Sequence, residues 1–124
     1  MPRVVHFEIT ANDPEKVVAF YQAVFGWKVT KYPGPQDYWL VTTGEPDKSG
    51  IDGGIFRPNG IFTATINTID VDDLDAAAEK VKAAGGQTVT PKSTIPGVGY
   101  QIYCKDIEGT LFGLHQADPQ AKLD

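Results

Sequence analysis

Asp13 and Asp73 stand about 60 residues apart, and each precedes a helix-patterned segment that ends at a glycine, Gly26 in one case and Gly85-Gly86 in the other. An aspartate can accept from the unpaired N–H groups of a helix's first turn, and a glycine suits the left-handed residue at its end. Pro14 strengthens the first start, because the N–H that proline lacks has no helical partner at that position. Val17, Phe20, Tyr21 and Val24 recur at helical spacing after Asp13. Leu74, Ala77, Ala78, Val81 and Ala84 do the same in the second half, where Asp72 is the alternative cap. Both sets predict one apolar stripe per helix. Short β-like runs surround them, at residues 4–9, 27–32, 38–43 and 51–57, then at 61–71, 87–90, 100–105 and 110–116. Pro33-Gly34-Pro35, residues 44–50 and Asp106-Ile107-Glu108-Gly109 supply turns, and Pro58-Asn59-Gly60 joins the halves. The order β-α-β-β-β therefore occurs twice, which is the signature of an internal repeat. The expectation is an α+β fold in a single domain over residues 1–124. Two tandem βαβββ repeats span about 4–57 and 61–116, and a polar, frayed tail covers 117–124.

A chain of 124 residues is long enough to bury a core without disulfide or metal staples. Its net charge of -5 and the absence of any Lys/Arg cluster argue against nucleic acid or an anionic membrane as partner. No window approaches the ~20 apolar residues needed to span a bilayer, and the first residues lack a signal peptide's apolar stretch. The one cysteine, Cys104, cannot form an internal disulfide, which suits the cytoplasm, the expected location. Gly97-Val98-Gly99 lacks the strand-loop-helix setting of a nucleotide-binding turn. No Ser-His-Asp or Cys-His arrangement is legible, and zinc-finger spacing is absent.

Several segments carry a resemblance. His6-Phe7-Glu8-Ile9, Asp13-Pro14-Glu15, Phe20-Tyr21 and Val24-Phe25-Gly26-Trp27 resemble the opening of a vicinal oxygen chelate protein. Val71-Asp72-Asp73-Leu74-Asp75-Ala76, Ala83-Ala84-Gly85-Gly86 and Lys105-Asp106-Ile107-Glu108-Gly109 fit the second half of the same pattern. This is the superfamily of glyoxalase I, bleomycin-resistance proteins and extradiol dioxygenases. The resemblance covers residues 4–116 and implies a curved mixed sheet around a small-molecule cavity. It specifies the fold better than the reaction, because one fold hosts many chemistries. Metal-dependent members of that superfamily place ligands on the first and last strands of each repeat. His6 occupies the first such position. Its repeat partner is Ile66, the last strand offers Gly113 and the fourth strand offers Gly53-Gly54, none of which can ligate. The expectation is therefore that no metal and no other cofactor is bound. A substitute set of His6, Glu8 and His115 is the alternative, since His₂-carboxylate donors can hold iron or zinc.

Six residues are candidates for a ligand-binding site: His6, Glu8, Tyr38, Asn67, Tyr103 and His115. His6 and Glu8 share a strand face by alternation, as do Leu111, Gly113 and His115. Glu8 reads either as a solvated edge carboxylate or as a buried acid. Asn67 has the polar phase of Thr63 and Thr65, and a bulge would blur whether it or Ile66 faces the cavity. Of the pairs Tyr38/Trp39 and Tyr100/Tyr103, each on one strand, periodicity does not say which ring lines the cavity; Tyr38 and Tyr103 are favoured. Pro96-Gly97-Val98-Gly99 reads as a mobile loop or simple turn. No catalytic residue stands out. The first functional expectation is a protein that binds a small organic molecule, in the manner of bleomycin-resistance proteins. A metal-dependent glyoxalase-like lyase or dioxygenase using His6, Glu8 and His115 is the alternative, and the resemblance also implies a homodimer.

Overall fold

The computed structural model describes residues 1–57 and 65–123. The joint expected at Pro58-Asn59-Gly60, the first part of the strand expected over 61–71 and the Thr63 phase argument lie outside the described residues. In chain order the elements are β1 (Arg3–Thr10), α1 (Pro14–Phe25), β2 (Lys28–Lys31), β3 (Tyr38–Thr42), β4 (Asp52–Phe56) and β5 (Thr65–Asp70). There follow α2 (Leu74–Ala83), β6 (Gln87–Thr88), β7 (Ser93–Ile95), β8 (Gly99–Lys105) and β9 (Leu111–Ala117). The chain divides into two compact units, a first of His6–Ile66 and a second of Met1–Val5 with Asn67–Asp124.

In the first unit the strands run in the order β2-β3-β4-β1, with β1 and β4 parallel and the other neighbours antiparallel. Asp13 starts α1 by accepting from the Lys16 N–H at 3.3 Å, and Gly26 ends it in the left-handed region at φ 71°. Phe7, Ile9, Trp39, Val41 and Ile55 form the helix-facing side of the strands, packed with Val17, Val18, Tyr21, Trp27 and Val29. Burying a side chain the size of Ile55 or Val41 stabilises the fold by about 1.5–3 kcal/mol. The inward stripe of α1 differs from the expected one. Tyr21 stacks flat on Trp27, with centroids 4.8 Å apart and planes 5° from parallel, and this turns Val17 and Val18 inward. Phe20 and Val24 end up 57% and 54% exposed, rotated off the stripe.

In the second unit the order is β5-β9-β8-β6, and β7 also pairs with β8; β5 and β9 are parallel, the rest antiparallel. Its core is Leu74, Ala78, Ile102, Cys104 and Leu114, flanked by Ile69, Val71, Ala77, Val81, Tyr100 and Phe112. Asp73, not Asp72, caps α2, accepting from the Ala76 N–H at 3.1 Å. The left-handed stop residue is Gly85, at φ 100°. Gly86 is glycine for another reason: a Cβ there would collide with the Lys105 carbonyl and Val81. Ala84 lies past the end of α2 and is exposed.

The second half has one strand more than the repeat pattern predicts. β7 is only three residues long and bounded by Pro96, so it leaves little periodic signal. Pro96-Gly97-Val98 is the turn joining β7 to β8, closed by the Val98 N–H on the Ile95 carbonyl at 2.9 Å. The C-terminal segment holds this turn. Gly97 donates to the Ala121 carbonyl and Asp118 donates to the Val98 carbonyl, both at 2.9 Å, and Ala121 is buried. The tail is thus tied down through its described residues, and the expected loop is a fastened hairpin. No helix among the described residues is long and apolar enough to cross a membrane.

Candidate functional site

Side-chain alternation gives each unit a face turned away from its helix. In the first unit that face carries His6 and Glu8 from β1, Tyr38 from β3, and Gly54 and Phe56 from β4. The Tyr38 hydroxyl lies between the two β1 side chains. It donates to Glu8 Oε2 at 2.8 Å and sits 3.0 Å from His6 Nε2. A phenol has one hydrogen, so with that hydrogen directed at Glu8 the imidazole is the donor to the phenol oxygen. Glu8 is only 4% exposed, which settles the choice between solvated and buried in favour of buried. A buried carboxylate requires donors, and Tyr38 supplies one.

The neighbouring sequence explains how Tyr38 gets there. Its ring stacks on Phe56, centroids 5.9 Å apart at 19°, and passes directly over Gly54. A Cβ at Gly54 would overlap both the hydroxyl and the ring. Gly53 faces the opposite way and gives the same clearance to Phe7. The Gly53-Gly54 pair is therefore the imprint of two aromatic rings, one on each side of β4.

In the second unit the corresponding face carries Thr68 and Asp70 from β5, Gly113 and His115 from β9, and Gln101, Tyr103 and Lys105 from β8. His115 Nδ1 lies 3.9 Å from an Asp70 carboxylate oxygen, and its side chain is 17% exposed. Tyr103 stands directly opposite Gly113. Tyr100 points the other way, into the α2 core, with its hydroxyl donating to Asp118 at 2.9 Å. Asn67 is exposed and in phase with Ile69, on the helix side, while Ile66 is fully buried. Of the six sequence candidates, His6, Glu8 and Tyr38 come together in hydrogen-bonding contact. Tyr103 and His115 share a face of the second unit, and Asn67 lies on the other side of it.

Sequence reasoning missed Gly54 and Phe56, which seat Tyr38, and it missed Thr68 and Gln101. Thr68 is 3% exposed, and its hydroxyl has no hydrogen-bond partner among the described residues. The available signal was the run Thr65-Ile66-Asn67-Thr68, whose alternation places Thr68 in phase with the buried Ile66. Cys104 is a buried core residue, and burial raises its thiol's pKa above the ordinary value, the opposite of an activated nucleophile. A shallow hollow beside the β3–β4 connection, lined by Thr43, Glu45, Lys48 and Asp52, contains none of the six candidates.

The donor set does not fit the metal that the superfamily resemblance brings to mind. Ile66 and Gly113 offer no ligand atom, and His6 Nε2 is engaged by a phenol. Among the described residues no three His, Cys, Asp or Glu side chains gather as a group able to hold an ion.

Comparison with known proteins agrees with this architecture. Residues 3–114 match the family model described as Glyoxalase/Bleomycin resistance protein/Dioxygenase superfamily. Two curated mycobacterial relatives, from Mycobacterium bovis and Mycobacterium tuberculosis and each named "Putative glyoxylase CFP32", are 31% identical over 117 residues. The alignment covers 91% of this chain but 43% of those relatives, so the chain spans less than half their length. Among solved structures, a superfamily member from Vibrio splendidus 12B01 gives a TM-score of 0.66 at 18% identity, covering 95% of this chain and 100% of its own. Methylmalonyl-CoA epimerase from Mycobacterium tuberculosis gives 0.67 at 16% identity, covering 94% and 88% respectively. Likeness at such low identity shows a shared α+β fold and leaves the reaction open. The repeat order, the parallel β1–β4 and β5–β9 pairs and a family match over nearly its whole length all agree: this chain belongs to the Glyoxalase/Bleomycin resistance protein/Dioxygenase superfamily.

Proposed function

We propose that this protein binds a small organic molecule, with the His6–Tyr38–Glu8 chain as its main polar recognition element and without a resident metal. The observation that carries this reading is the Tyr38 hydroxyl, 3.0 Å from His6 Nε2 and 2.8 Å from Glu8 Oε2. A metal-bound imidazole must present its nitrogen lone pair to an ion about 2.0–2.1 Å away. In this chain the same nitrogen serves a phenol, and the phenol is fixed by a buried carboxylate. A phenol held from both sides is a preorganised hydrogen-bonding group, which lowers the ordering cost of binding a polar guest. Tyr103 and His115 belong to the same proposal as side chains of the second unit available to a ligand. Asn67 belongs to it only for a ligand that reaches the helix side of β5.

Elemental analysis of chelator-treated protein, followed by exposure to Zn²⁺, Mn²⁺, Ni²⁺ or anaerobic Fe²⁺, tests the metal-free part. We expect substoichiometric metal throughout, and the same for His6→Ala. Stoichiometric metal that disappears in His6→Ala overturns the reading and turns attention to glyoxalase-like lyase and dioxygenase substrates, the activities named in the matching family's description. A thermal-shift screen of small organic molecules tests the binding part. Hits that Tyr38→Phe weakens support it, and hits indifferent to that change place binding elsewhere. The single-domain organisation, a homodimer and a cytoplasmic location remain part of the same proposal; light scattering of the purified chain checks the dimer.

A further inference from the structure

The helices of the two units present different outer faces. On α2 the exposed side chains include Asp75, Glu79, Lys80 and Lys82. On α1 no side chain from Val17 onward is charged, and the uncharged run continues to Trp27. Phe20 and Val24 are more than half exposed, and Phe25 is 61% exposed. These three form one patch around Tyr21. Phe20 meets the Tyr21 ring edge-on at 5.2 Å, and Phe25 stacks on the same ring at 6.1 Å. Tyr21 is itself stacked on Trp27, so the exposed rings are held by the core and lose little freedom when covered. Val24 lies one turn from Phe20. Among the described residues, the other exposed large hydrophobics fall on β1, β3, turns and the two ends of the chain. Isolated exposed apolar groups are ordinary, whereas a contiguous patch marks an interaction surface.

We propose that this face of α1 is covered by the same face of a second copy of the chain, the two helices crossing about a two-fold axis. The inference rests on the homodimer proposed above and names the surface that forms it, one lying wholly in the first unit. Charge selects the occupant. Each chain carries a net charge of -5, so two copies repel unless they meet where no charge lies. An uncharged apolar face is complementary to itself, which a two-fold interface requires. Ala19 and Ala23, exposed and one turn apart, let the two backbones approach, and Phe20, Val24 and Phe25 pack around them. Area sets the strength. A buried aromatic side chain covers about 150–250 Å², so the three exposed side chains offer on the order of 300 Å². A stable complex covers about 800 Å² on each partner. The patch is therefore the apolar centre of a modest interface, which gives a reversible dimer with micromolar dissociation rather than a permanent one.

The test is sedimentation equilibrium of the full chain from low micromolar to millimolar concentration. The parent is expected to move reversibly from monomer to dimer. Phe20→Glu and Val24→Glu each place two carboxylates in a two-fold interface, one from each copy, and are expected to weaken the dimer at least about thirtyfold. Both positions are exposed, so both variants should keep the parent's far-ultraviolet circular dichroism and a cooperative urea transition. Lys80→Glu, on the outer face of α2, changes the net charge by more and is expected to leave the dimer as it is. A dimer that neither α1 substitution weakens overturns this face and leaves the homodimer standing. So does a dimer that Lys80→Glu weakens as much as they do, because net repulsion then explains all three. A chain that stays monomeric throughout overturns the face and the homodimer together, and leaves the patch to a different partner. Association that continues past the dimer overturns the two-fold arrangement, which closes at two copies.

Discussion

Across the parallel strand pair of each unit a polar side chain faces a glycine: Glu8 faces Gly54 in the first, and Thr68 faces Gly113 in the second. The third strand then completes the two sites differently. From β3 comes Tyr38, one diagonal step from Gly54; from β8, at the matching step from Gly113, comes Gln101. In the first unit the ring fills the gap over the glycine and gives the buried carboxylate its donor. In the second, Thr68 Oγ1 and Gln101 Nε2 come within 3.0 and 3.5 Å of the position a Cβ at Gly113 would take, and that hydroxyl has no hydrogen-bond partner among the described residues. The same step of a repeated backbone is thus covered by an aromatic ring in one unit and by a hydroxyl and a carboxamide in the other. The lesson is about glycine in a strand: it weakens the strand locally, and the clearance it creates is taken up by whichever neighbouring side chain reaches it.

The sharpest way to break this comparison is to add one methyl group to each glycine. Gly54→Ala places a Cβ inside the Tyr38 ring and hydroxyl, so the ring must leave and Glu8 loses the hydrogen bond from Tyr38. Overpacking and the loss of one donor to a buried acid together are expected to cost about 3 kcal/mol or more in urea unfolding. Gly113→Ala meets the Thr68 hydroxyl at 3.0 Å and Gln101 Nε2 at an ordinary 3.5 Å, and is expected to change stability by no more than about 1 kcal/mol. Similar losses for the two variants refute the distinction between a glycine overlain by a ring and one met only at contact distance.

How much of this was legible in sequence follows from which signals are local. The repeat order, both caps and the helices are written in short-range patterns, and Asp13, Asp73 and Gly26 behave as their residue types require. The shared face of His6 and Glu8 is equally local, since it needs only strand alternation. The inward face of α1 was misjudged because Phe20 is as apolar as Tyr21; only the stack on Trp27 decides which one turns in. β7 was missed because three residues before a proline carry no period. The bridging role of Tyr38 depends on a separation of 30 residues from Glu8 and on a glycine in a third strand, and no window along the chain contains that information. Thr68 was overlooked because a threonine in a strand is ordinary until its hydroxyl is found without a partner.

A smaller pair of substitutions sharpens the comparison by sign. Tyr38→Phe keeps the ring on Phe56 and removes the hydroxyl that bridges His6 and Glu8, so the buried carboxylate loses a donor; a loss of about 1–2 kcal/mol is expected. Thr68→Val removes a buried hydroxyl that has no hydrogen-bond partner among the described residues, and about 1 kcal/mol of added stability is expected. Chemical denaturation of both variants at one pH, with m-values compared, reads the two signs directly. A destabilised Thr68→Val means that the hydroxyl is already satisfied by ordered water.

The smallest expected effect concerns pH and the buried group that separates the two cores. The helix-side core of the first unit is built from aliphatic and aromatic side chains, whereas that of the second includes Cys104, fully buried among Leu74, Ala78, Ile102 and Leu114. Burial holds the thiol in its neutral form and raises its pKa above the unfolded value. The sign follows from proton binding. The folded state keeps this proton to higher pH than the unfolded chain does, so the contribution is fully present below the unfolded value of about 8.5. It is lost as pH rises through the folded value. Near neutral pH, Cys104→Ala should therefore cost only the packing of one sulfur atom, and the difference from the parent should shrink as the titration moves into the alkaline range. Thiol labelling gives an independent check: the native chain should react far more slowly than the urea-unfolded chain at pH 8, because reaction requires the second unit's core to open. Equally fast labelling in both states means that this core opens readily, and the stability assigned to its packing is then too large.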